Sequence, residues 1–349
     1  MRLPFFKVTE ITRRRWEVFR NHKRAYWSLL ILLAVYVFSL FSPWLVNDKP
    51  LYLKYGQKTY FPAFKFYPET EFGGPYGTEQ DYLALLAQPD FQEKGGWALM
   101  PPVPHNPNRP YLDLAGNPPH PPSPQHWLGT DATARDVLAR LIHGFRIAMT
   151  FSLLVTFLST LVGVILGGIQ GYFGKATDLV GQRLTEIWDS LPTLYVIILL
   201  GAIYGRTMWM LIFVVTVFGW IGTSIYVRAE FLRLKNLPYV TASRSLGASH
   251  WRLIFQQIMP NALGPIITLT PFSVIAGIGA LTSLDFLGFG LPPPTPSWGE
   301  MLQQGLDRLF APWLATSAVL ALFITLQLVS FVGEGFRTAF DPRSSIKLR

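Results

Sequence analysis

The chain has no cysteine among its 349 residues. Disulfides, thiolate metal sites and cysteine nucleophiles are excluded together, and the redox compartment is left open. Charge is also scarce. Asp, Glu, Lys and Arg make up 15% of the residues, where a soluble domain carries about a quarter. Such a chain has little water-facing surface. Its six histidines stand at 22, 105, 120, 126, 143 and 250, with no H-x-x-x-H or H-E-x-x-H pair. His126 is expected to be a structural turn residue rather than a metal ligand. A phosphate-binding loop needs G-x-x-x-x-G-K-[ST]. Gly174-Lys175 comes nearest and fails twice, because Ile169 stands five positions before the glycine and Ala176 follows the lysine. No cofactor, metal or nucleotide site is expected, and this chain is not expected to be an enzyme.

What the chain has in quantity is apolar sequence. Half of it is hydrophobic, and aromatics reach 15%; Trp and Tyr gather at bilayer interfaces. A transmembrane helix needs roughly 20 mainly apolar residues. Six segments qualify: 26–45, 147–170, about 184–203, 207–227, 263–284 and 312–332. The first follows a basic stretch but is too long for a signal h-region, so it reads as an uncleaved anchor. The fifth contains Pro265 and Pro271, which kink a membrane helix without excluding it. Glycines near the end of the second suit close helix packing. The fold class is therefore an all-α polytopic membrane protein of six transmembrane helices, with both termini on one side.

Positive charge chooses the side. The first 25 residues hold eight Lys or Arg: Arg2, Lys7, Arg13, Arg14, Arg15, Arg20, Lys23 and Arg24. Segment 228–252 holds five, and the tail from Arg337 holds four. By contrast, the turn at 204–207 and the loop 285–311 hold one each, Arg206 and Arg308. Both termini and the 228–262 loop are therefore expected in the cytoplasm. Basic residues on cytoplasmic flanks are explained by anionic lipid and insertion topology, and a nucleic-acid partner is not needed.

Between the first two spans lies an external insertion, 46–146, with nine basic and ten acidic residues. Residues 51–61 read as a small β-hairpin turning at Gly56. Residues 101–124 contain ten prolines, so they are expected to be extended, as a linker or as a stiff arm against a partner. The expected organisation is a cytoplasmic segment 1–25, a first helix 26–45, the external domain 46–146, a five-helix core 147–336 and a cytoplasmic tail 337–349.

The cytoplasmic loop is the most informative stretch. Asn236 is a candidate N-cap with Pro238 in the first turn. Gly247 stands where a helix would end in a left-handed residue. Ser249 can cap a second helix, which Pro260 would close. The result is a protruding hairpin, 236–261. Small residues at Thr241, Ala242 and Ser243 permit close approach of another surface, and His250, Trp251 and Phe255 supply an aromatic face. A hairpin lying on the bilayer is the alternative.

This loop resembles the coupling motif of ABC importer permeases, where an EAA triplet precedes a glycine and a hydrophobic-x-Pro ending. Here the triplet is Thr241-Ala242-Ser243, without the glutamate, then Gly247 and Ile258-Met259-Pro260. Three more stretches resemble the oligopeptide/dipeptide branch. They are His126-Trp127-Leu128-Gly129-Thr130-Asp131 continuing to Arg140, with Ala134 where the family usually has Gly; Leu284-Asp285-Phe286-Leu287-Gly288-Phe289-Gly290 followed by Pro296-Ser297-Trp298-Gly299; and Gly333-Glu334-Gly335-Phe336-Arg337 with Asp341-Pro342-Arg343. With its long insertion, the chain is most similar to permeases of peptide and microcin-C-type import systems.

The resemblance implies a permease subunit of an ATP-driven importer in the bacterial inner membrane, forming half of a pathway for peptides or peptide-like compounds. It implies a second homologous permease, cytoplasmic ABC ATPases and an external solute-binding protein as partners, besides the bilayer itself. Two alternatives stay open. One is an ATPase-independent channel or ion-coupled carrier using Glu186 and Asp189, an i,i+3 pair more simply read as solvated near the membrane surface. The other is an importer of metal chelates such as nickel. No substrate-binding residue is assigned.

Overall fold

The computed structural model describes residues 10–93 and 95–341. Arg2, Lys7, Pro342 and Arg343 lie outside them. The chain is mainly helical. In order come α1 (Glu10–Asn21), α2 (Lys23–Leu40), α3 (Ser42–Leu45), β1 (Tyr52–Tyr55), β2 (Lys58–Tyr60), α4 (Tyr82–Leu86), α5 (Asp90–Glu93) and β3 (Trp97–Leu99). Then follow α6 (Val137–Phe173), α7 (Lys175–Asp189), α8 (Thr193–Tyr204), α9 (Met208–Leu234) and α10 (Pro238–Ser245). The last three are α11 (His250–Phe286), α12 (Trp298–Asp307) and α13 (Pro312–Phe340).

Among the described residues five helices are long and apolar enough to cross a membrane: α2, α6, α9, α11 and α13. The pair α7–α8, bent by 68°, makes a sixth if it counts as one span. The expected straight helix at 184–203 is thus two helices. Pro192 disfavours helical backbone at Leu191, and the chain turns between Ser190 and Pro192. Other boundaries move as well. The first span stops at Leu40, and Pro43 opens the separate α3. The second begins ten residues early, at Val137. The fifth begins at His250, because Pro260 does not end it. Residues 253–258 are π-helical. That wider turn leaves room for the proline ring, and the Gln257 carbonyl accepts from Asn261 Nδ2 at 2.8 Å.

Two compact units make up the chain. The first takes the described residues up to Leu33, then Ala148–Pro292 and the residues from Phe323 on. Within it, α6 packs closely against α9. Gly163, Gly167 and Gly171 recur every fourth residue on α6. A Cβ on them would come within 2.8, 2.3 and 2.7 Å of the α9 carbonyls of Trp220, Ser224 and Arg228. Lipid gives apolar side chains no reason to leave it, so membrane helices associate through such backbone approach. Another face of α6 leaves Phe157, Leu161, Ile165, Ile169 and Phe173 exposed, as a bilayer-facing stripe would be. Phe19 and Ala25, from α1 and α2, pack against Phe336 and Ala339 of α13, and Gly335 is where Ala25 touches.

The second unit takes Ala34–Ile147 and Pro293–Leu322. The hairpin turning at Gly56 is present as β1–β2, and β3 adds a third, unexpected strand, giving the order β2-β1-β3. Leu53, Tyr60, Tyr82, Leu85 and Phe91 form a small core beneath it. The proline-rich stretch is tied down. Arg109 reaches Asp81 at 2.7 Å and Asp48 at 3.2 Å. Burial pushes the Asp81 carboxyl up, but the hydrogen bonds and charge of Arg109 and the amides of Leu83 and Ala84 outweigh it and hold the group below the usual range. The loop 285–311 contains a helix, α12, that was not expected. Ser297 Oγ caps it by accepting from Gly299 and Glu300 N–H. Its S-x-x-E start is a recognisable helix signal.

Candidate coupling site

The hairpin between α9 and α11 is built as a wedge with a dry underside. Val240, Leu253 and Ile258 are fully buried against Phe231 and Leu234 of α9 and Tyr172 of α6. Lys235 donates to the carbonyls of Gly171 and Tyr172 at 2.8 and 3.2 Å, placing a cation at the C-terminus of α6, where the helix dipole favours one. Gln257 Nε2 donates to Ser243 Oγ at 2.9 Å and ties one arm to the other.

Gly247 joins the arms with φ of +82°, and no atom stands within 4 Å of where its Cβ would be. The glycine is therefore required for its backbone, not for space. Ser249 Oγ accepts from Arg252 N–H, as a cap. Asn236 is not a cap. Leu237 holds that position, and Asn236 Nδ2 turns back to the Leu232 carbonyl of α9.

Thr241 and Ala242 are exposed and Ser243 is half-buried on α10. Thr241 Oγ1 donates to the Pro238 carbonyl at 3.0 Å, so the position where the family motif has glutamate spends its one polar group on its own helix. Trp251 and Phe255 meet with ring centroids 4.0 Å apart and planes tilted by 39°, and both are exposed, Trp251 by 70%. Leu246, at the tip, is 88% exposed; it was not among the expected contact residues. His250 does not join that aromatic face. Its Nδ1 lies 2.6 Å from the Tyr172 hydroxyl, so it fastens the hairpin to α6. Pro260 lies inside the continuous helix. The second arm of the hairpin is consequently the first part of α11 itself.

A family model described as "Binding-protein-dependent transport system inner membrane component" matches residues 159–346. The chain belongs to that family of permeases. A second model, the N-terminal transmembrane domain of oligopeptide transport permease C, matches residues 11–65 of the permease. "Inner membrane ABC transporter permease protein YejE" of Escherichia coli is 43% identical over 97% of this chain and 99% of its own length. "Peptidoglycan transport system permease protein YejE" of Agrobacterium fabrum is 41% identical over 99% and 96%. "Dipeptide transport system permease protein DppC" of Bacillus subtilis is 38% identical over 64% and 70%. The permease is a multi-pass inner-membrane transport subunit of an ATP-driven importer, within the oligopeptide/dipeptide branch.

Two of the permease's motifs meet in its second unit, in a way the sequence did not reveal. Arg140 is fully buried. Its Nη2 donates to Glu300 at 2.5 Å, its Nη1 to the Pro107 carbonyl at 3.0 Å, and its Nε lies 3.4 Å from Asp131. Arg135 bridges the same carboxylates, from Nε to Asp131 and from Nη2 to Glu300, both at 2.8 Å. Gln304 completes the junction, donating to Glu300 and accepting from Ala132 N–H. Two guanidiniums face two carboxylates, so the buried charge balances. Spacing along the chain could not show this pairing, because the partners stand 160 and 165 residues apart.

Glu186 and Asp189 are both exposed. Glu186 pairs with the exposed Arg183 at 2.5 Å. Asp285 is buried and accepts from Leu291 N–H at 2.8 Å. Glu334 is exposed.

Proposed function

We propose that the permease forms half of an import pathway for peptides or peptide-like compounds, driven by a separate cytoplasmic ATPase seated on the α10–α11 hairpin. The reading includes a second homologous permease chain, an external solute-binding protein and cytoplasmic termini. It also includes the external assignment of 46–146, the core 147–336, the hairpin 236–261 and the cytoplasmic segments 1–25 and 337–349. One observation carries it. The hairpin has a rigid, buried underside and an exposed apolar crest, and its second arm continues unbroken into a membrane helix. A push on Trp251 or Phe255 therefore moves α11 directly, and a push on Leu246 reaches it through the Gly247 turn and the Gln257–Ser243 tie. Without a glutamate at Thr241, docking rests on shape and apolar contact.

Two further observations support the cargo and the pathway. Relatives are named for peptidoglycan and dipeptide transport. A cleft of about 290 Å³ between α6, α9 and α11 carries Thr160, Thr223, Tyr226, Thr270 and Ser273. Hydroxyls gathered among apolar helices suit a wall that peptides slide past, since polar groups at membrane depth mark pathways.

The chain's lack of cysteine makes the test direct. In a Leu246→Cys permease, a maleimide-linked benzophenone at position 246 should photo-crosslink to a co-expressed ATPase, and membrane-impermeant maleimide added to intact spheroplasts should not label it. Labelling from outside, or no ATPase adduct in a transport-competent complex, refutes the docking reading.

A further inference from the structure

We propose that His105, His126 and Asp136, in the second unit, form a binding site for a divalent transition-metal cation of the zinc class. One ligand atom from each of the three lies within 4.8 Å of the others. His126 and Asp136 are buried, at 4% and 1% exposure. The arrangement of protons is the decisive feature. His105 Nε2 lies 2.8 Å from the Gln125 carbonyl. A carbonyl only accepts, so Nε2 carries the proton and Nδ1 holds the lone pair. That Nδ1 is buried and has no hydrogen-bond partner. An imidazole that gives one N–H to a backbone carbonyl and keeps its other nitrogen bare is oriented as metal-ligating histidines are.

His126 Nδ1 meets Asp136 Oδ2 at 2.8 Å. Two ligands on a tetrahedral ion with bonds near 2.0 Å stand about 3.3 Å apart. An ion entering here takes the place of the shared proton, which moves to His126 Nε2 as the neutral ring changes tautomer, and opens the contact by roughly half an ångström. Both partners are held in place. Asp136 Oδ1 accepts from Ala139 N–H at 2.8 Å, capping α6, and the His126 N–H donates to Ser123 Oγ at 3.0 Å. The carboxylate supplies one negative charge toward the ion's two. A cavity of about 300 Å³ reaches His105 and Asp136 past Val103, Gln125 and Trp127. It gives the ion a way in and leaves a fourth position for water. Two imidazoles and a carboxylate suit zinc better than calcium or magnesium. The ion would clip the proline-rich stretch to the turn that precedes α6, in a chain with no disulfide to do so.

The test uses the full-length permease in detergent, purified without a polyhistidine tag and stripped with chelator. Cobalt(II) is the probe, because its visible absorption reports ligand geometry. Three results are expected: one saturable cobalt per chain with visible d–d bands, displacement by zinc, and a raised thermal midpoint. His105→Phe keeps a ring against His126 and Tyr111 but removes the bare nitrogen. Its affinity should fall by more than about tenfold, with the chelated midpoint unchanged. Asp136→Asn keeps the helix cap and should also weaken binding. No saturable cobalt, or equal binding by His105→Phe and wild type, would overturn the site and leave the two rings as an aromatic stack.

Discussion

The two units solve one problem, holding a chain together without cystine, with opposite chemistry. In the first, α6 and α9 meet backbone to backbone through Gly163, Gly167 and Gly171, with Lys235 on the α6 carbonyls at the end of the seam. In the second, Arg135 and Arg140 bind Asp131 and Glu300 in a nearly dry junction. The contrast follows from solvent. Among lipid tails a buried ion pair is expensive, and close backbone contact is the available glue. The second unit, external on the proposed reading, is small and irregular, and a balanced charge network fixes its long loops. A buried pair of this kind adds little net stability over a well-packed apolar substitute. Losing one partner is costly because the other charge is stranded.

The comparison can be broken at its strongest points. Gly167→Leu should have the largest effect. Its Cβ would stand 2.3 Å from the Ser224 carbonyl, which side-chain motion cannot relieve, so the detergent-purified permease should aggregate on size exclusion. Gly222→Ala is the control, since its Cβ meets nothing within 4 Å, and should behave as wild type. Next comes Arg140→Met, which should destabilise the second unit by about 3–5 kcal/mol. Adding Glu300→Gln should recover part of that loss in a double-mutant cycle read by thermal unfolding. If Arg140→Met were silent, the ion network would not be what holds the unit.

A smaller effect sharpens the account. Ala134 has φ of +60°, a left-handed conformation that costs a residue with a Cβ roughly 1–2 kcal/mol. The family's usual glycine at this position now has a physical reason. Ala134→Gly should stabilise the permease by up to about 1 kcal/mol, offset in part by the glycine's freedom when unfolded, with a measurable rise in thermal midpoint.

Much of this architecture was legible in the chain. Apolar runs mark the spans, and Pro238, Gly247 and Ser249 mark the hairpin, because each signal is local. What was missed depends on distant partners. Arg140, His143 and Arg146 made the start of α6 look like an external loop, yet Arg140 is neutralised by Glu300, far along the chain. Pro260 looked like a stop because the π turn before it leaves no sequence signature. His250 looked like part of an aromatic face until Tyr172 claimed it. Strand β3 has only three residues and exists because β1 pairs with it.

The central claim is that the hairpin transmits motion as a rigid piece of α11. Gly247→Val tests it most directly, since the glycine's surroundings are empty and the substitution strains only the turn. Reconstituted with its ATPases and binding protein in proteoliposomes, the variant should assemble and hydrolyse ATP while cargo uptake falls at least about tenfold, a loss of coupling worth about 1.4 kcal/mol or more. Uptake and hydrolysis both at wild-type levels would contradict the account.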